Sequence, residues 1–205
     1  MQERDIKILE FMTQVRYCTN ENIQDIFFQG LNHNVCYRRL NYLIDCKLIK
    51  RKYYHVDNKN IYVYYLDKEP SKRLLQHELL VTQFLVSLIK QGYELLSFEK
   101  TPKVADVIPD GVVSFKSGDK VKQLFLEVQL SSGDCILKYS NIKNKVSYDI
   151  PDTLYIITNQ QMKYTKIRGL DIIIDDLNFS KLKGGIFQGI KGKVIIPVIQ
   201  IYYKH

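Results

Sequence analysis

The chain contains no tryptophan, four cysteines and four histidines among its 205 residues. Cys18, Cys36, Cys46 and Cys135 form no Cys-x-x-Cys pair, and no histidine sits beside them at zinc-ligand spacing. A zinc finger and a disulfide framework are therefore excluded, and reduced thiols are expected. His33, His55, His77 and His205 make no His-x-His pair, which removes metal chemistry built on that motif. No Gly-rich phosphate loop is present, so a P-loop or Rossmann reading has no support. No apolar run approaches the roughly 20 residues of a membrane-spanning helix. The opening stretch MQERDIKILEF carries acids at helical periodicity, unlike a secretory leader. Together these predict a cytoplasmic protein that does not engage a membrane.

What is there is globular and basic: 45% hydrophobic and 25% charged residues, with a formal net charge of +8. A basic chain favours polyanionic partners. Ile6, Ile8, Leu9 and Met12 predict a first helix. Thr19 or Asn20 can cap a second, with Ile23, Ile26 and Phe27 as its apolar stripe. After the turn GLNHN, Val35, Leu40, Leu43 and Ile44 predict a third. KRKYYHVDNKNIYVYYL then reads as two Tyr-rich strands around the turn DNKN. This order resembles a winged helix-turn-helix over roughly residues 3 to 67, most closely in YRRLNYLIDCKLIKRKYY. Between His33 and Tyr53 the bases are Arg38, Arg39, Lys47, Lys50, Arg51 and Lys52, against the single acid Asp45. Such clusters supply phosphate contacts to double-stranded DNA. Asn34, Tyr37, Arg38 and Asn41 are the candidates for base edges, Arg suiting guanine and Asn adenine.

DKEPSKR, with Pro70 and its flanking charges, predicts a linker over residues 68–73 between a first domain, 1–67, and a second, 74–205. Residues 1–70 hold 11 bases and 9 acids, and residues 71–205 hold 19 and 13, so the second half carries most of the excess charge. In it, Leu75, Leu79, Phe84, Leu85 and Leu88 mark a long amphipathic helix. YELLSFE, DGVVSF and VKQLFLEVQL read as three strands, the last two joined by KSGDK. A basic helix, CILKYSNIKNKVSY, and a buried strand, TLYIITN, follow. GLDIIIDDL and GKVIIPVIQIYY are further strand candidates. The fold class is α/β, α+β overall.

Two acids stand out in this apolar surround. Alternation puts Leu126, Val128 and Leu130 on one face of their strand and Glu127 and Gln129 on the other, while Asp110 opens the preceding strand. Two neighbouring carboxylates repel and are costly to bury, so the pair suits a hard cation, Mg²⁺ or Mn²⁺, held by oxygen ligands. A water on that cation can attack a phosphodiester.

The helix, the PDG hairpin and EVQ resemble the PD-(D/E)xK restriction-endonuclease-like fold, an αβββαβ arrangement. Asp110 and Glu127 match its acidic positions and metal ligands, Glu78 matches the acid that many members carry on the preceding helix, and Gln129 replaces the usual lysine. A winged helix followed by QHELLVTQFL, PDGVV, FLEVQLSS and NKVSY more specifically resembles the replication-relaxation family, similar to the class C mobilisation relaxases. The resemblance spans nearly the whole chain. It implies a DNA-binding protein of a plasmid or conjugative element, acting at an origin of transfer or replication among relaxosome proteins and nicking DNA with a divalent metal. Gln129 cannot supply the lysine's positive charge; Lys138, Lys143 or Lys145 is expected in its place. Three readings stay open on the residues: a nickase, a nuclease-like protein that only binds DNA as a relaxosome accessory or transcription-control factor, and a protein–protein adaptor. A homodimer reading paired half-sites fits the first two. Tyr139 and Tyr148 are the tyrosines to test for a covalent intermediate. His77 and the Ser131–Ser132–Gly133 turn stand near the acids in sequence, with packing and an ordinary strand-end turn as their plainer readings.

Overall fold

The computed structural model describes residues 1–56, 58–133, 135–140, 142, 150–162 and 166–187. Helix α1 spans Glu3–Val15, strand β1 Tyr17–Thr19, α2 Asn20–Phe27, α3 His33–Asp45, β2 Lys50–Val56 and β3 Lys59–Tyr65. A three-stranded antiparallel sheet has the order β1-β3-β2. Helix α4, Lys72–Lys90, leads into β4 (Glu94–Lys100), β5 (Gly111–Ser117), β6 (Lys120–Gln129), β7 (Thr153–Thr158) and β8 (Asp171–Asp175), and a short α5 (Ser180–Lys183) follows. These five strands form one mixed sheet in sequential order. The β4-β5 and β5-β6 pairs are antiparallel, and the β6-β7 and β7-β8 pairs are parallel. The molecule is thus mixed α+β.

Local chemistry explains the helix starts. Thr19 caps α2: its Oγ1 accepts the Asn22 N–H at 3.3 Å, and its own N–H donates to Asn22 Oδ1 at 2.9 Å. Asn32 caps α3 by accepting the Asn34 N–H at 2.9 Å. Asp5 accepts the Gln2 N–H at 2.6 Å at the start of α1. The buried stripe of α1 is Ile8, Phe11, Met12 and Val15, while Ile6, expected inside, is exposed. Asp5 takes an inward position because Arg39 of α3 grips both its oxygens, so its charge is buried with a partner.

Helix α4 serves both halves of the chain. Leu75 and Leu79 pack with Tyr54 and Val63 of the small sheet. Phe84, Leu85 and Leu88 join a cluster that runs from Ile8, Phe11 and Ile23 through to Phe115, Leu126 and Tyr155. Thr82 Oγ1 donates to the Tyr17 carbonyl at 2.7 Å, and Lys90 pairs with Asp25 at 2.9 Å. The segment expected as a hinge is itself pinned: Pro70 is buried, Tyr54 donates to its carbonyl at 3.1 Å, and Lys52 pairs with Glu69.

The large sheet is covered on both faces. Leu124, Leu126 and Val128 of β6 face the α4 side. Phe125, on the opposite face, packs with Ile136, Tyr139, Ile142, Leu154 and Ile156. The helix expected over residues 135–148 is, within the described residues, a 3₁₀ turn at Leu137–Tyr139. Lys143, Lys145, Tyr148, His205 and the strand expected from GKVIIPVIQIYY lie outside the described residues.

Gly111, next to Asp110, is needed for close packing. A Cβ there would stand 2.3 Å from Cε2 of Phe98 on β4. Gly111→Ala is expected to destabilise the protein by about 1–3 kcal/mol through overpacking, read as a lowered denaturation midpoint. Pairing it with Phe98→Leu should recover part of the loss.

Candidate functional site

Asp110 is held from three directions at the entrance to β5. Its Oδ2 accepts the Val128 N–H of β6 at 2.7 Å and lies 3.0 Å from His77 Nε2 on α4. Its carbonyl accepts the Thr101 N–H at 3.1 Å. Glu127 is buried one residue before Val128. Its Oε1 contacts Lys138 Nζ at 2.6 Å and accepts the Tyr139 hydroxyl proton. Burial raises the Glu127 pKa first and the Asp110 charge second, against the lowering effect of Lys138 and Tyr139. The Tyr139 hydroxyl is likewise pushed well up by burial, by Glu127 and by Asp110. The two acids, from adjacent strands, therefore lie within one another's field.

Glu78 of α4 forms an ion pair with Lys100 at the end of β4, and both side chains are largely buried. The Lys100 ammonium also stands 5.7 Å from the centre of the Tyr17 ring. Burial, then Arg16, pushes Lys100 down to about 8, while Asp110 acts in the opposite sense. Sequence reasoning missed Lys100, which has no local signal separating it from the other basic side chains. Two acid–lysine pairs, Glu78 with Lys100 and Glu127 with Lys138, thus flank Asp110.

Lys138 is the one expected lysine substitute among the described residues. Its Nζ also donates to the Ile108 carbonyl at 3.1 Å, tying the loop before Asp110 to the turn after β6. Gln129 is engaged elsewhere: its side-chain amide donates to the Ser131 carbonyl at 2.5 Å, and its backbone carbonyl accepts from the Thr158 hydroxyl at 2.7 Å. It braces the Ser131–Gly133 turn. Among the described residues, no three His, Cys, Asp or Glu side chains gather as a ready-made metal cage. Asp110 Oδ2 lies against His77 of α4 and Glu127 Oε1 against Tyr139 on the opposite side of the sheet, so a hard cation shared by the two acids would draw most of its shell from water and phosphate.

The raised Glu127 pKa predicts a stability effect. An ionised Glu127 disfavours the folded state, and that penalty is absent below its ordinary pKa of about 4.3 and complete above its raised folded value. Glu127→Gln keeps an acceptor for Tyr139 and removes the charge. The variant should melt higher than the parent at neutral pH, with the difference closing as pH falls, measured by thermal denaturation across pH.

A second surface lies on α3 and the β2-β3 hairpin. Asn34, Tyr37 and Arg38 are exposed and line, with Asn32 and Val35, an open depression of about 460 Å³. Arg51 Nη1 donates to Asn41 Oδ1 at 2.9 Å and to the Tyr37 hydroxyl at 3.4 Å. Lys47 is exposed in the turn after α3. Arg39 is occupied by Asp5, Lys52 by Glu69, and Lys50 donates to the Asp67 carbonyl at 3.2 Å. The structure therefore gathers Asn34, Tyr37, Arg38, Asn41 and Arg51, leaves Lys47 exposed, and engages Arg39, Lys50 and Lys52 in internal contacts.

No protein-family model matches the chain, and comparison with curated proteins yields no match either. Among the described residues, no helix is long and apolar enough to cross a membrane.

Proposed function

We propose that the chain is a DNA-binding protein in which a winged helix-turn-helix engages duplex DNA through α3, and a PD-(D/E)xK-like site cuts one strand with a divalent cation. The observation that carries the catalytic half is the meeting of Lys138 with Glu127 beside Asp110: it returns a lysine to a site whose motif has Gln129 instead. Asp110 and Glu127 would hold Mg²⁺ or Mn²⁺. Such an ion, when bound, would supply a water of lowered pKa and offset charge on the phosphoryl oxygens. His77 and the Val128 N–H fix the Asp110 carboxylate, and Tyr139 fixes that of Glu127. Lys138 can shift from Glu127 to a phosphate oxygen as negative charge develops there. Hydrolysis adds water across one P–O bond and leaves a nick. Tyr139 is buried and spends its proton on Glu127, which favours a positioning role over a covalent one.

The binding half rests on the exposed Asn34, Tyr37 and Arg38 and on Arg51 behind them. The replication-relaxation resemblance adds the setting: a plasmid or conjugative element, at an origin of transfer or replication, with relaxosome proteins as partners. One observation favours a second reading, a nuclease-like protein that only binds DNA. Glu127 already has two partners of its own, Lys138 and Tyr139.

Supercoiled plasmid carrying the element's origin separates the two. Conversion to the open-circular form with Mg²⁺ or Mn²⁺, and none with EDTA, supports the nickase. A footprint without conversion in any divalent ion supports the binding-only protein.

A further inference from the structure

The outer face of the β2-β3 hairpin carries two tyrosines, Tyr53 and Tyr62, that neither the duplex-binding helix nor the carboxylate site uses. Tyr53 and Tyr62 face each other across the two strands, ring centres 5.2 Å apart and edge to face. They are 52% and 43% exposed, far more than their buried neighbours Tyr54 and Val63 on the opposite face. The Arg51 guanidinium lies over the Tyr62 ring at 4.7 Å and near the Tyr37 ring at 5.8 Å. Four planar groups, Tyr37, Arg51, Tyr62 and Tyr53, thus run as a ladder from α3 out along the hairpin.

Among the described residues, packing gives no reason for two half-exposed tyrosines here, since the core side of the hairpin is filled by Tyr54 and Val63 against α4. The charge says what suits the ladder. On the ladder's own face the two strands carry Arg51, Tyr53, His55, Asn60 and Tyr62 and no acidic residue, while Lys50 and Lys52 alternate to the other side and are engaged there by Asp67 and Glu69. Rings and a stacked guanidinium on a face free of acids among these strand residues match an anionic chain with flat groups. Base stacking on such rings is tolerant of sequence, because every base has a π-face.

We infer that the Tyr37–Arg51–Tyr62–Tyr53 ladder binds the unpaired bases of single-stranded nucleic acid. A duplex cannot place its stacked bases on these rings, so the ladder takes a strand that has opened or been nicked. This extends the DNA-binding reading, and it can be tested apart from it.

The test uses the full chain and fluorescence anisotropy with three labelled probes: oligo-dT and oligo-rU of about 20 nucleotides, and a blunt duplex of similar length. Tyr53→Ala and Tyr62→Ala are each expected to weaken oligo-dT binding roughly 5- to 150-fold, the range for loss of one stacked base. Tyr53→Phe should bind as the parent does, and Arg51→Lys should weaken binding although the charge remains. Arg38→Ala should lower duplex affinity while sparing oligo-dT, so failure of the duplex reading and failure of the ladder are told apart. Equal losses on oligo-dT and oligo-rU support stacking without sugar discrimination. With no tryptophan present, quenching of tyrosine emission by oligo-dT gives an independent readout. Unchanged oligo-dT affinity in a folded Tyr53→Ala or Tyr62→Ala variant overturns the inference. So does absence of oligo-dT binding at low salt, or a dimer in sedimentation that Tyr53→Ala dissociates.

Discussion

Asp110→Asn is expected to lower the rate of plasmid nicking by at least 100-fold while leaving duplex affinity at the parent value. The expectation follows from what the carboxylate touches. Its Oδ2 accepts the Val128 N–H and lies against His77, so an amide oxygen can keep the first contact and much of the local geometry. The negative charge goes, and with it half of the pair that would hold a cation. Loss of one well-placed electrostatic group in a site of this kind typically costs about 10² to 10³ in rate. The measurement is the rate of open-circle formation in Mn²⁺, with anisotropy on the same preparations as the binding control. Lys138→Ala should fall between parent and Asp110→Asn, because in the proposed site it would contribute charge at the phosphate and not a ligand to the ion.

Arg38→Ala carries the second large effect, on affinity. Arg38 is exposed on α3 at the edge of the depression also lined by Asn34 and Tyr37. If it reads a base edge, its removal costs roughly 5- to 150-fold on the preferred duplex and relaxes selection at one position. If it contacts phosphate, affinity falls evenly across sequences and the salt slope drops by about one. Arg39→Ala and Lys52→Ala provide the contrast. Arg39 is committed to Asp5 and Lys52 to Glu69, so neither change should alter the salt slope. Arg39→Ala should instead lower the melting temperature, because it strands a buried Asp5 carboxylate. Selection from a random duplex pool, followed by salt titration of the preferred sequence, measures all three.

These contrasts mark where sequence reading reached and where it stopped. The α4 stripe was legible because five leucines and phenylalanines keep helical spacing over nineteen residues, and all five are buried. The β6 alternation was legible for the same kind of reason: Leu126 and Val128 face α4 while Glu127 meets Tyr139 on the other side. Strand β1, only three residues long, is too short for any period to register. Asp5 stands in the first turn of α1, and the approach of Arg39, 34 positions away, makes it an interior residue. The same distance effect hid Lys100, whose partner Glu78 is 22 residues earlier. The linker looked like a hinge because Pro70 and charged residues cluster there, yet Tyr54 and Lys52 reach across to pin it. Long-range pairs of this kind leave no trace in local composition.

The account turns on Asp110 and Glu127 sharing one cation. Crystals soaked in Mn²⁺ and measured near the manganese edge test that directly. The account predicts an anomalous peak within coordination distance of both carboxylates, with Lys138 withdrawn from Glu127 Oε1. Soaked crystals in which Lys138 and Tyr139 keep their hold on Glu127, with no anomalous peak beside Asp110, would contradict it.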